Sequence, residues 1–240
     1  VALIVLLMWQ YLYVISKPLP IILISLSGLI ILYLISPWLL LRLWWKGRGN
    51  AAYRQRVSER FAVRQKKLSF SIDIWIHTVS VGEAVAAFPL IEQMLLRQWK
   101  VLVTTMTPTG AARVEKQFGS VVEHRFIPYD LPGAMARFYQ LYQPKLGLIV
   151  ETELWPNLIH QAKRAHIPLF LINARLSEKS YCGYKKIRFF MRALLEQFSW
   201  ILTQTEDDMQ RFISLGAHRQ MTKNIGNLKF DLQLKSASTI

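Results

Sequence analysis

From Ile72 onward, short apolar runs rich in β-branched residues alternate with longer amphipathic stretches. A strand buried on both faces reads as a continuous apolar run, and its parallel neighbour must be reached by a crossover, usually a helix. The runs at 72–79, 101–105, 146–150, 168–172, 200–203 and 222–225 fit such strands. Between them, 84–97, 110–118, 158–165, 184–198 and 207–215 carry helical patterning. The alternation predicts an α/β fold, a Rossmann-like parallel sheet with flanking helices. In such folds ligands sit where strands end and helices begin, so the strand-end loops are the places to look for chemistry.

A second constraint precedes these runs. Residues 19–41 are apolar apart from serines and a tyrosine, which is long enough to cross about 30 Å of hydrocarbon. No polar face is visible, as a buried core helix would need, and the stretch is too long for a signal peptide and lacks a small-residue cleavage site. Trp38, Trp44 and Trp45 cluster at its far end, where amphipathic rings favour the headgroup layer. A basic collar follows: Arg42, Lys46, Arg48, Arg54, Arg56, Arg60, Arg64, Lys66 and Lys67. Lysine and arginine excess marks the cytoplasmic side. The pattern therefore predicts a single-pass membrane anchor within 1–45, with the rest of the chain on the cytoplasmic face. A further apolar run, 1–15, is set apart by Lys17-Pro18-Leu19-Pro20. It reads as another span, a re-entrant piece, or sequence upstream of a start at Met8.

Composition narrows the partners. Lys and Arg number 30 against 15 Asp and Glu, a formal charge of +15, while 52% of residues are hydrophobic. Such a surface meets anions: nucleic acid, phospholipid headgroups or a phosphorylated substrate. A nucleic-acid binder would show a recognised motif or aromatic–basic interleaving on a strand, and neither is present. The single cysteine, Cys182, excludes an internal disulfide framework and fits a reducing compartment.

The strand-end loops carry the candidate chemistry. Ser80-Val81-Gly82-Glu83 follows the first strand and reads first as a capping box, second as a general base, Glu83, at the carboxyl edge of the sheet. Glu151-Thr152-Glu153-Leu154-Trp155-Pro156-Asn157 follows the strand at 146–150. It is either a helix start with acidic residues in its first turn, or a site that brings a carboxylate near Glu83. Trp155 would pack on a sugar or fill the core. Thr107-Pro108-Thr109-Gly110 suits an anion or an ordinary N-cap. Asn173-Ala174-Arg175 closes another strand, and Arg175 is placed to grip a carboxylate or phosphate, or to form a surface ion pair. Lys229, in Gly226-Asn227-Leu228-Lys229, would stabilise developing negative charge or be a solvated lysine. No phosphate-binding glycine loop and no metal-ligand spacing appears, and the five histidines, His77, His124, His160, His166 and His218, read as structural.

Taken in order, IWIHTVSVGEAVAAFPLI, TTMTPTGAARV, FIPYDLPGAMARF, VETELWPNLI, LINARLSEKSYCGY and GNLKFDL resemble the 3-deoxy-D-manno-octulosonic acid (Kdo) transferases of lipid A glycosylation. GRGNAAYRQRVSERF and the apolar anchor also match, so the resemblance runs from about Ile30 to Leu234. It implies a GT-B architecture of two Rossmann-like halves, of which residues 46–234 are the amino-terminal, acceptor-binding one. Residues 235–240 would begin the linker to a carboxy-terminal donor domain that is missing here, and this piece alone would be inactive. The resemblance implies transfer of Kdo from the donor substrate CMP-Kdo to a lipid A precursor at the bacterial inner membrane, inverting and metal-independent, with no cofactor. It puts the general base on Glu83, a second essential carboxylate on Glu153 and a lysine on Lys229. Acceptor contacts would fall on Ser80, Gly82, Thr107, Thr109, Gly110 and Asn173, with Arg56 and Arg175 as candidates for lipid A phosphates. The alternatives are a non-catalytic truncated homologue and a membrane-tethered basic binding protein.

Overall fold

Residues whose side chains alternate between two apolar layers form one all-parallel sheet. The computed structural model describes residues 37–38, 40–65 and 67–228. In chain order these give β1 (Ile74–His77), α1 (Val81–Leu96), β2 (Val101–Thr105), α2 (Pro108–Phe118), β3 (Glu123–Phe126) and α3 (Pro132–Tyr142). Then come β4 (Leu146–Val150), α4 (Pro156–Arg164), β5 (Leu169–Ala174), α5 (Glu178–Lys185), α6 (Arg188–Leu195), β6 (Trp200–Thr203), α7 (Glu206–Leu215) and β7 (Thr222–Asn224). The seven strands are ordered β3-β2-β1-β4-β5-β6-β7. The order reverses between β1 and β4, which pair in register from Ile74 against Leu146. That reversal opens a crevice at the carboxyl ends of these two strands.

The period-two alternation of strand side chains sorts the core. Ile74, Ile76, Val101, Val103, Leu148 and Val150 face α1 and α2, where Ala84, Phe88, Ile91 and Val114 cover them. Trp75, Leu102, Ile149, Leu171 and Ile201 face the opposite layer, built by Phe138, Tyr139, Leu158, Met191, Leu194 and Phe212. Trp75 is fully buried, with ring centroids 5.1 Å from Phe138 and 5.6 Å from Tyr139. Its register partner on β4 is Gly147. A Cβ there would lie 2.5 Å from Leu169 Cδ2 and 2.9 Å from Trp75 Cε3. Glycine is what leaves room for the indole and for Leu169 at this point of the sheet.

The predicted strands and helices are all present, with three differences. β3 was not expected, because Glu123 and Arg125 interrupt its apolar signal; only His124 and Phe126 are buried, as suits an edge strand. α3 was not expected either, since Pro132-Gly133 reads as a breaker, yet proline is tolerated at the first helical positions. The single helix predicted over 184–198 is two helices. Ile187 leaves helical geometry between them at φ −120° and ψ 33°. α5 has no buried residue, whereas α6 buries Phe190, Met191, Leu194 and Leu195; an apolar stripe ties down only the second.

Among the described residues no helix is long and apolar enough to cross a membrane. The predicted span at 19–41 falls almost wholly outside those residues, as do 1–15, Lys66, Lys229 and 235–240.

Candidate active site

Glu83 is fixed by the way α1 begins. Ser80 is extended, and its Oγ accepts the Glu83 amide at 3.3 Å. The Ser80 hydroxyl donates back to Glu83 Oε1 at 2.7 Å, and the Val79 amide donates to Oε2 at 2.6 Å. This is a capping box whose carboxylate reaches one residue further back than usual. Glu83 is buried, 7% exposed. The capping and functional readings are therefore compatible: the cap holds a carboxylate at the carboxyl edge of β1. A Cβ on Gly82 would meet nothing nearer than Ser80 Oγ at 3.9 Å, so no packing demand accounts for that glycine.

The loop after β4 is shaped by backbone that turns sharply. Glu151 has φ 61° and donates its amide to Ile172 on β5. The Thr152 hydroxyl donates to the Arg175 carbonyl and accepts the Arg175 amide, clipping the β4 and β5 loops together. Glu153 Oε2 accepts the Trp155 indole N–H at 2.7 Å. Burial pushes the Glu153 carboxyl up to about 7; the indole N–H opposes this, while Glu83 and Glu151 reinforce it. The structure thus brings Glu83 and Glu153 into one electrostatic neighbourhood. A buried carboxyl raised beside a second carboxylate is a common feature of acid–base sites.

Trp155 offers α4 no side-chain cap. Asp130, from the loop after β3, does so, and Asn157 Nδ2 donates to the Asp130 carbonyl at 2.6 Å. The Trp155 ring meets the His77 imidazole T-shaped at 5.2 Å.

At the end of β5, Asn173 is fully buried with φ 52°. Its Oδ1 accepts the Leu228 amide at 3.2 Å, and its carbonyl accepts Gln204 Nε2 at 3.0 Å. Gln204 Oε1 in turn accepts Asn227 Nδ2 at 3.2 Å. These contacts draw the segment leading to Lys229 toward the β5 end. Arg175 is exposed beside it. Thr107 caps α2 by accepting the Gly110 amide at 3.1 Å, and Thr109 Oγ1 donates to Thr107 Oγ1 at 3.3 Å; this loop follows the ordinary N-cap reading. Arg56 sits on the β3 side, where its guanidinium donates to Glu59 at 2.7 Å, to Glu115 at 3.0 Å and to the His124 carbonyl at 2.7 Å. Its contacts are with α2 and β3 rather than with the two carboxylates.

Sequence reasoning read His77 only as structural and passed over Asp130. A histidine ending an otherwise apolar strand was the available signal for the first. For the second there was none, because its partners lie in a distant helix. Among the described residues, no group of three or more His, Cys, Asp or Glu side chains is disposed to hold a metal ion.

Comparison with known proteins bears on the fold and the family. By fold, the chain is similar to UDP-GlcNAc 2-epimerase from Neisseria meningitidis bound to UDP-GlcNAc, with a TM-score of 0.53 at 15% identity, covering 70% of this chain and 50% of that one. By sequence, it is 40% identical over 183 residues to 3-deoxy-D-manno-octulosonic acid transferase from Haemophilus influenzae, covering 75% of this chain and 43% of the relative. The same-named protein of Bordetella pertussis is 37% identical over 169 residues, covering 68% and 39%. The chain thus spans less than half the length of these curated relatives. The family model for 3-deoxy-D-manno-octulosonic-acid transferase (kdotransferase) matches residues 55–232, and the chain belongs to that family.

Proposed function

We propose that this chain is the acceptor-binding half of a GT-B glycosyltransferase that moves Kdo from CMP-Kdo to a lipid A precursor. The observation that carries the reading is that Glu83 and Glu153, which follow the neighbouring strands β1 and β4, lie close enough for the Glu83 charge to help raise the Glu153 carboxyl. Glu83 is the general base. Each of its oxygens accepts one hydrogen bond from the chain and retains a second acceptor position. The acceptor hydroxyl attacks the anomeric carbon of CMP-Kdo, and its proton passes to Glu83. The anomeric carbon–oxygen bond breaks, and the electron pair leaves with the CMP phosphate. Glu153 stabilises the oxocarbenium-like charge, and Lys229 the charge developing on the departing phosphate. Arg175 faces the lipid A phosphates.

The same reading places the protein on the cytoplasmic face of the inner membrane. Trp38, Leu41, Trp44 and Trp45 are 58%, 63%, 52% and 69% exposed. Arg48 and Arg54 lie over the Trp44 ring at 4.9 and 5.2 Å. Exposed indoles interleaved with guanidinium groups suit an anionic headgroup layer, where the acceptor resides.

The test is full-length protein carrying Glu83→Ala. It should bind lipid A precursor yet transfer no Kdo from CMP-Kdo. Turnover near that of the wild type would remove Glu83 as the base.

A further inference from the structure

His77 closes β1, is fully buried, and has no part in the chemistry above. Its Nδ1 lies 3.0 Å from Thr104 Oγ1 on β2. That oxygen also accepts the indole N–H of Trp75 at 2.8 Å. With Trp75 donating to it, the hydroxyl has its own proton left to give, and the arrangement that orphans no hydroxyl proton gives it to Nδ1. The ring hydrogen is thereby assigned to Nε2. Nε2 is buried and has no hydrogen-bond partner, an expensive condition for a polar atom in a protein interior.

The aromatic neighbour beyond Trp75 is Trp155, T-shaped to the imidazole at 70° and 5.2 Å. A polar ring edge against an indole is a favourable arrangement, and it restricts how the indole turns. Trp155 in turn donates its N–H to Glu153 Oε2 at 2.7 Å. Thr104, His77, Trp155 and Glu153 thus form an unbroken series from the sheet interior to the carboxylate.

We propose that His77 is a positioning residue, which holds the Trp155 indole in the orientation that aims its N–H at Glu153. The inference rests on the reading of Glu153 as the carboxylate that works in its ionised form at the transition state. His77 itself stays neutral at working pH, because burial pushes its imidazole down to about 3. Among the described residues, the charged and titratable groups that act on or respond to Glu153 are Glu83 from α1, Glu151 on the same loop and Tyr184 from α5. The first two already disfavour its ionisation, so the indole N–H opposes them. Losing that N–H raises the Glu153 pKa and moves the acidic limb of the rate profile to higher pH.

The experiment is the pH profile of kcat/KM for Kdo transfer by the full-length protein. Trp155→Phe keeps a ring but removes the donor, and should move the acidic limb up by about one pH unit, the scale of a hydrogen bond to a charged acceptor. His77→Leu should move it in the same direction, while His77→Phe, which keeps a ring against Trp155, should leave it near the wild-type position. If His77→Leu lowers kcat/KM equally at every pH while Trp155→Phe moves the limb, His77 is merely structural and the proposal is overturned. Should His77→Leu not fold, Thr104→Val removes the hydroxyl that orients the imidazole, and an unmoved limb there overturns it equally. Wild-type turnover by Glu153→Gln would instead sink the reading of Glu153, and this inference with it.

Discussion

The Asp130 carboxyl group caps a helix to which it does not belong, accepting the Asn157 amide at 3.1 Å and the Leu158 amide at 2.7 Å at the start of α4. This contact ties the loop after β3 to the helix that follows Trp155. Asp130→Ala leaves both amides without that acceptor and should cost about 1–2 kcal/mol of stability. Thermal unfolding of the full-length protein measures it at pH 5, below the value of about 7 to which burial raises Asp130, so that no buried charge is removed along with the cap. A change indistinguishable from zero would mean that solvent replaces the cap at no cost.

Stability should depend on the protonation of Glu153. Its carboxyl is raised from the ordinary 4.5 to about 7 by burial. A raised carboxyl favours the protonated form in the folded state, so its contribution is full below about 4.5 and is lost as pH climbs through 7. Glu153→Gln should therefore be neutral at pH 4 and stabilising at pH 8 by up to ~3 kcal/mol, while abolishing transfer. Chemical denaturation at the two pH values gives the comparison, and equal effects at both would contradict the burial of this carboxylate.

Gly147→Ala should be harmful although alanine is a modest change. The new methyl would press on Trp75 Cε3, part of a rigid ring held by Phe138 and Tyr139. Overpacking of this kind costs ~1–3 kcal/mol, readable as a lowered Tm.

Asn173→Ala removes the side-chain acceptor of the Leu228 amide and leaves a Cβ residue at φ 52°. Asn173→Gly relieves the backbone but equally loses the acceptor. Both variants should lose kcat on the order of tenfold, corresponding to one hydrogen bond's worth of positioning, with the glycine variant the more stable. Full activity in the glycine variant would show that the clamp on Leu228 does not matter for catalysis.

Arg56 separates a packing role from an acceptor role. Its partners Glu59, Glu115 and His124 belong to the fold. Arg56→Ala should lower stability by about 1–2 kcal/mol and leave KM for the lipid acceptor unchanged. A raised KM at unchanged Tm would assign it to lipid A phosphates instead.

The interior strands and the strand-end loops were legible because each signal is local. β-branched runs mark β2 and β4, and Ser80 three residues before Glu83 marks a helix start. β3 was not legible: an edge strand buries little, so Glu123 and Arg125 are free to be polar. The approach of Glu153 to Glu83 was one of two open readings of the loop after β4, and it depends on β1 lying beside β4. The contact of His77 with Trp155 required knowing that β1 lies beside β4, with the chain passing through β2 and β3 between them. Nothing local encodes that. Asp130 reads as a loop aspartate for the same reason.

Glu151 at φ 61° and Asn173 at φ 52° end adjacent strands in a conformation that non-glycine residues seldom adopt. Both bends are held by neighbouring segments: Glu151 through Ile172 of β5, and Asn173 through Gln204 and Leu228 in the loops after β6 and β7. The entropy of ordering these two corners is therefore lost when the chain folds, not when a sugar arrives. On the function proposed above, a ligand entering the crevice would find its walls already bent, and its binding energy would remain for the reacting bond.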